Sequence, residues 1–201
     1  MNLFYRDIVI TVVPDDVLFF MKNMLLLVHD KQHRLDCAIS FPNWEDGEPN
    51  NILKFDTRVS GAKLGRVLRL FAKNAEVLEA IPQILGITDL IKKDVIYLTP
   101  VALAPTTEKS VCYTRNRGAD HATRDSRRPE VTADKAREIS SKLLETRHTL
   151  AYVALESKSN KQQFSVFIER KLSDTPPDVT NWGINGFGIS RAISPCYLPQ
   201  F

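Results

Sequence analysis

The chain has 201 residues, 43% hydrophobic and 25% charged, the composition of an ordinary folded soluble protein with room for one large domain or two small ones. A net charge of +3 is too small to steer the whole chain to nucleic acid, so any such preference rests on where the basic residues sit. Cys37, Cys112 and Cys196 stand far apart with no CxxC spacing, the amino terminus lacks a signal-peptide layout, and no apolar run approaches the roughly 18 residues of a membrane span. A soluble, cytoplasmic protein is expected.

In chain order, Leu3 to Val13 alternates as a strand with Ile8, Ile10 and Val12 on one face. Pro14-Asp15-Asp16 stops it and offers an aspartate as helix N-cap. Val17 to His29 reads as a buried helix, with a polar link after it. Cys37 to Phe41 reads as a second strand ending at Pro42, and Asn43 to Asn51 as a turn-rich loop. Ile52 to Val59 reads as a third strand. Lys63 to Ala80 carries Leu64, Val67, Leu68, Phe71, Ala75 and Leu78 at helical spacing, and Val95 to Leu98 is a short fourth strand. The order is βαββαβ, a ferredoxin-like unit over residues 1–100.

Residues 101–201 form the expected second domain. It opens with the stretch Tyr113 to Arg128, which holds Arg115, Arg117, Arg124, Arg127 and Arg128 against only Asp120 and Asp125. From about Ala122 this stretch suits a helix, with Arg124, Arg127 and Arg128 on one face. Arginine binds phosphate and guanine edges bidentately, so a basic loop feeding a basic helix suits RNA; the plain alternative is a solvated connector. A capped helix starts at Thr132. Tyr152 to Leu155 and Phe164 to Ile168 read as a hairpin around the polar loop Glu156 to Gln163, and a glycine-rich segment closes the chain.

Histidine carries protons near neutral pH. His29, at the end of the first helix, serves structure or chemistry; His33 lies in a polar turn, and His121 among the arginines suits phosphate. The loop Ser157-Lys158-Ser159-Asn160-Lys161 lacks a GxSxG or SxxK frame, so it is either a plain hairpin turn or a place to orient a ribose hydroxyl and a phosphate. Phe164 is either core or a platform for a base. Gly183, Gly186 and Gly188 spell GxxGxG without the strand-then-helix context of a nucleotide loop, which leaves a tight turn allowing close backbone approach to RNA. No carboxylate cluster is set up for two-metal chemistry, so a nuclease built on this chain is expected to work without metal or cofactor.

Together, CAISFP (37–42), LESKSNKQQFSVFIER (155–170), GFGISRA (186–192) with its Pro-X-Phe tail, and the arginine stretch before the hairpin resemble the CRISPR-repeat RNA endoribonucleases of type I-F systems, the Csy-type processing enzymes. The resemblance implies a ferredoxin-like domain and a smaller arginine-helix domain. It implies binding of the CRISPR repeat stem-loop, cleavage at the 3′ base of the stem by the RNA's own 2′-hydroxyl, a 2′,3′-cyclic phosphate product, and retention of the crRNA within a type I-F complex of further subunits. By the resemblance Ser157 holds the 2′-hydroxyl and Phe164 stacks under the terminal base pair. Arg115 and Arg117 read bases near the foot of the stem, with arginine at 117 where the family tends to have glutamine. Arg124, Arg127 and Arg128 track the groove, and Ser159, Lys161 and Phe187 contact RNA.

Two positions depart from the family pattern. A gapless alignment sets Leu26 at the place of the family's histidine, and a three-residue shortening of the link to the second strand brings in His29, the one histidine expected on that helix. Phe187 stands where the family has tyrosine. The second reading is therefore a non-catalytic or weakly catalytic assembly subunit with the same hairpin grip. A third, a generic ferredoxin-like RNA chaperone, predicts salt-sensitive binding without hairpin preference.

Overall fold

The computed structural model describes residues 2–47, 61–117, 131–135, 137–138, 149–156, 163–180 and 182–201. The chain divides into two compact units. One gathers Met1–Asn43, Leu64–Thr114 and Lys171–Phe201, and the other Trp44–Lys63 and Arg115–Arg170.

The first unit is built on strands β1 (Phe4–Ile10), β2 (Ala38–Ser40), β3 (Val67–Ala72) and β4 (Ile96–Leu98), in the sheet order β2-β3-β1-β4, with a short β5 (Ala102–Leu103) also pairing β1. All these pairings are antiparallel. With helix α1 (Pro14–Leu35) between β1 and β2, and α2 (Ala75–Glu79), α3 (Ile81–Leu85) and α4 (Thr88–Lys92) between β3 and β4, this is the expected ferredoxin-like βαββαβ unit, and the rest of the chain supplies a second unit. Among the described residues no helix is long and apolar enough to cross a membrane.

Helix α1 differs from expectation at both ends. Its N-cap is Val13, with no side-chain cap; Pro14 opens the helix, and Asp15 and Asp16 sit in the first turn, where their charge suits the helix dipole. The helix continues past His29 to Leu35 and stops where Asp36 turns left-handed at φ 41°. The polar run Gln32-His33-Arg34, expected as a link, is its last turn, so His33 shares the helix with His29. The stripe Met21, Met24, Leu25, Val28 and Leu35 is buried at helical spacing, and each such side chain contributes roughly 1.5–3 kcal/mol.

The helix expected over 63–80 is a correction. Residues 67–72 form β3, paired with β1 from Phe4↔Ala72 to Val9↔Val67, and helix resumes only at α2, where the Asn74 side chain accepts from the Glu76 amide at 2.9 Å. VLRLFA is covered on both faces: Phe71 joins Leu3, Ala38, Ile184, Cys196 and Leu198 in one core, and Leu68 and Leu70 alternate to the other side. A strand buried on both faces loses its two-residue alternation and mimics a buried helix. The third strand expected at 52–59 lies outside the described residues.

The carboxy-terminal segment belongs to this unit. β9 (Leu198–Pro199) pairs β6 (Ser110–Arg115) through Ser110↔Pro199 and Val111↔Leu198. Arg69 forms a bidentate pair with Asp7, its cross-strand partner, at 2.7 and 2.9 Å, donates to the Phe201 main-chain oxygen at 3.0 Å, and lies 4.0 Å over the Phe201 ring.

In the second unit, β7 (Leu150–Glu156) and β8 (Gln163–Ser173) form the expected hairpin, in register from Leu150↔Glu169 to Glu156↔Gln163. Ala62 donates to the Leu150 carbonyl at 3.2 Å, and Arg170 reaches Asp46 at 2.7 Å. The helix expected after Thr132 begins there, with the Lys135 amide 3.4 Å from the Thr132 hydroxyl.

Candidate active site

The stripe that buries α1 leaves His29 on the solvent side of the helix, next to Val28. Its imidazole meets the glycine-rich segment 157 residues further on: Nδ1 lies 2.8 Å from the Gly186 carbonyl oxygen, and the ring stacks on Phe187 with centroids 4.1 Å apart and planes 13° from parallel. A carbonyl oxygen only accepts, so Nδ1 carries the hydrogen and donates it. In the neutral ring the lone pair then belongs to Nε2. Such an arrangement fixes the tautomer, which is what a general base at Nε2 would need.

Glycine eases the close approach here. A Cβ on Gly186 would lie 3.1 Å from both Cε1 and Nδ1 of His29. Gly188, at φ +75°, brings the same turn onto β2, where its carbonyl accepts from the Ile39 amide at 2.9 Å and a Cβ would sit 2.7 Å from the Cys37 oxygen. The Gln32 Nε2 donates to that Cys37 oxygen at 2.9 Å, while its Oε1 is buried with no partner among the described residues. Behind the turn, Ser190 donates to the Cys196 carbonyl at 2.9 Å and accepts from its amide at 2.8 Å.

Of the residues singled out in the sequence, His29 and Phe187 are brought together, and Phe187 is only 8% exposed, its ring spent on the histidine. His33 is exposed in the last turn of α1. Arg115, Arg117 and Phe164 belong to the second unit. Arg115 Nη2 lies 3.5 Å from the Ser165 carbonyl, and Arg117 is exposed. Phe164 is half-buried opposite Leu155 and shares the core face of the hairpin with Val153 and Val166. The other face carries Tyr152, whose hydroxyl accepts from the Ser165 hydroxyl at 3.1 Å. Ser157, Ser159, Lys161, His121, Arg124, Arg127 and Arg128 lie outside the described residues. Burial pushes the Cys37 and Cys196 thiols up to about 12, the Asp36 charge adding to the effect on Cys37, so neither offers a thiolate nucleophile at neutral pH.

The family model for the CRISPR-associated protein (Cas_Csy4) matches residues 5–201. The chain belongs to the Cas_Csy4 family. No curated protein matches it. Membership gives this Cas_Csy4 chain a CRISPR-associated role in crRNA processing, and its match runs through both α1 with His29 and the glycine turn that holds it. The sequence signals missed were the partners of His29: nothing local to either segment announces that Gly186 lends its carbonyl to the imidazole.

Proposed function

We propose that the protein is a metal-independent endoribonuclease that binds the stem-loop of CRISPR repeat RNA, cuts at the 3′ base of the stem and keeps the product. The observation that carries this reading is the 2.8 Å bond from His29 Nδ1–H to the Gly186 carbonyl, which leaves Nε2 as a base facing solvent. His29 Nε2 takes the proton of the ribose 2′-hydroxyl, and Ser157 orients that hydroxyl. The 2′-oxygen bonds to phosphorus and the bond to the 5′-oxygen breaks. The products are a 2′,3′-cyclic phosphate and a 5′-hydroxyl, whose proton comes from solvent. A positioned base of this kind contributes roughly 10²- to 10⁴-fold in rate.

Phe164 stacks under the terminal base pair, Arg115 and Arg117 read the foot of the stem, and Arg124, Arg127, Arg128, Ser159 and Lys161 hold its backbone. Further subunits of a type I-F complex receive the bound crRNA. The reaction is tested with a repeat hairpin carrying a single 2′-deoxyribose at the cleavage position, in EDTA. The expected result is tight binding without cutting, against cutting of the all-ribose hairpin to a cyclic phosphate. Cutting of the deoxy-substituted RNA contradicts 2′-hydroxyl attack.

One observation favours a second reading, an assembly subunit that binds the hairpin without cutting it: the residue stacked on His29 is a phenylalanine and brings no hydroxyl of its own. Binding of the all-ribose hairpin without any cleavage supports that reading.

A further inference from the structure

Close packing creates a problem at Gly186. A Cβ at Gly186 would crowd the imidazole at 3.1 Å, yet glycine has the freest backbone, and rotation about its ψ together with φ of Phe187 turns the following peptide plane. Residues 185–188 form such a turn, closed by the Gly188 amide donating to the Asn185 carbonyl at 2.9 Å. The flanking bonds are the Asn185 amide to the Ile189 carbonyl at 2.8 Å and the antiparallel bridge Ile184↔Ser190. With Gly188 left-handed after the turn, this is a three-residue hairpin loop with a glycine bulge.

The central peptide of this loop is the one that serves His29. Its carbonyl, from Gly186, accepts from His29 Nδ1 at 2.8 Å; its N–H, from Phe187, donates to Asn185 Oδ1 at 2.8 Å. A peptide unit is planar with its C=O and N–H pointing opposite ways, so gripping one end aims the other. Neither Gly186 nor Phe187 has positive φ here, and Asn185 holds the N–H on the side that goes with that arrangement. In the flipped plane the carbonyl points away from His29; Gly186 accepts the change in its ψ freely, and the cost falls on Phe187, which takes positive φ.

We infer that Asn185 is a positioning residue: its side-chain oxygen fixes the Gly186–Phe187 peptide, and through it the Nδ1–H tautomer that makes Nε2 of His29 the reacting nitrogen. The inference rests on the reading of His29 as the base for its consequence in cleavage, but not for the tautomer itself. Asparagine also suits the first position of such a turn because its short side chain reaches the amide two residues on.

The test compares wild type, Asn185→Ala and Asn185→Asp, the last keeping an acceptor at Oδ1. The first readout is the His29 tautomer in the free full-length protein, from long-range proton–nitrogen couplings of the imidazole. The second is the rate of cutting of bound repeat hairpin in EDTA, with the dissociation constant measured beside it. Wild type and Asn185→Asp are expected to show the Nδ1–H form. Asn185→Ala is expected to show a mixture with Nε2–H, and to cut roughly tenfold more slowly or worse, part of what a positioned base contributes, with hairpin affinity unchanged. An unchanged Nδ1–H signal in a folded Asn185→Ala, or an Asn185→Asp that behaves like the alanine variant, overturns the inference. A tautomer shift in a protein whose cutting does not depend on His29 supports the positioning inference and defeats the reading of His29 as the base.

Discussion

Two of the places where the carboxy-terminal segment is fastened to the ferredoxin-like unit work by opposite means. At one, Arg69 spans Asp7 and Phe201: a bidentate ion pair with side chains only 10% and 12% exposed, capped by an aromatic ring. At the other, the turn at Gly186 meets His29 through one neutral hydrogen bond and one ring stack at the solvent surface. The first buries charge, which is tolerable because each guanidinium nitrogen has an acceptor. The second leaves a nitrogen to face outward and fixes the ring without neutralising it. On the proposed reading, anchoring and chemistry are separated along one segment, and the difference is between a site that satisfies its polar groups and one that keeps a lone pair for use.

Breaking the anchor has the largest expected effect on stability. Arg69→Ala strands the Asp7 carboxylate and releases Phe201, at a cost of about 3–5 kcal/mol. Urea denaturation checks this, and the Asp7→Ala/Arg69→Ala double variant is expected to lose less than the two single losses added together. The His29 tautomer is expected to survive Arg69→Ala wherever the protein remains folded; its loss would mean that the two fastenings are coupled.

Crowding the other end has the opposite signature. Gly186→Ala sets a methyl 3.1 Å from the imidazole, so the ring must shift by a few tenths of an ångström. Cutting of the repeat hairpin is expected to fall roughly ten- to hundredfold with little change in thermal midpoint, because misplaced catalytic groups are costly where packing is not. Full activity in Gly186→Ala would show that the carbonyl contact does not set the geometry.

The smallest expected effect lies away from both contacts' partners, at the buried thiols of Cys37 and Cys196. Burial raises both thiols to about 12 from an ordinary 9.0, so the unfolded chain ionises them first. Their contribution to stability is complete below pH 9.0 and lost as pH rises towards 12. The stability difference between wild type and Cys37→Ala/Cys196→Ala is expected to shift against wild type across that window, and iodoacetamide at pH 8 to label neither cysteine before unfolding. Prompt labelling of the native protein would contradict their burial.

Much of the fold was legible because β1, α1 and the β7–β8 hairpin each carry a clear period. β3 was not, since Leu68, Leu70 and Phe71 are covered from both sides and the run loses its alternation. The end of α1 was misread because Gln32, His33 and Arg34 are polar, although the turn they form is helical; that misreading made His29 the one histidine on the helix. Geometry now separates His29 from His33, four residues on, by the bond His29 makes to the Gly186 carbonyl. That partner was illegible for a simple reason: Gly186 contributes a main-chain atom, and a carbonyl leaves no mark in a sequence.

The central claim is that His29 is the base, and the direct measurement is single-turnover cutting of the repeat hairpin in EDTA by wild type and His29→Ala, with binding followed in parallel. The account predicts equal affinity and a rate lower by roughly 10²- to 10⁴-fold in the variant. Equal rates would contradict it.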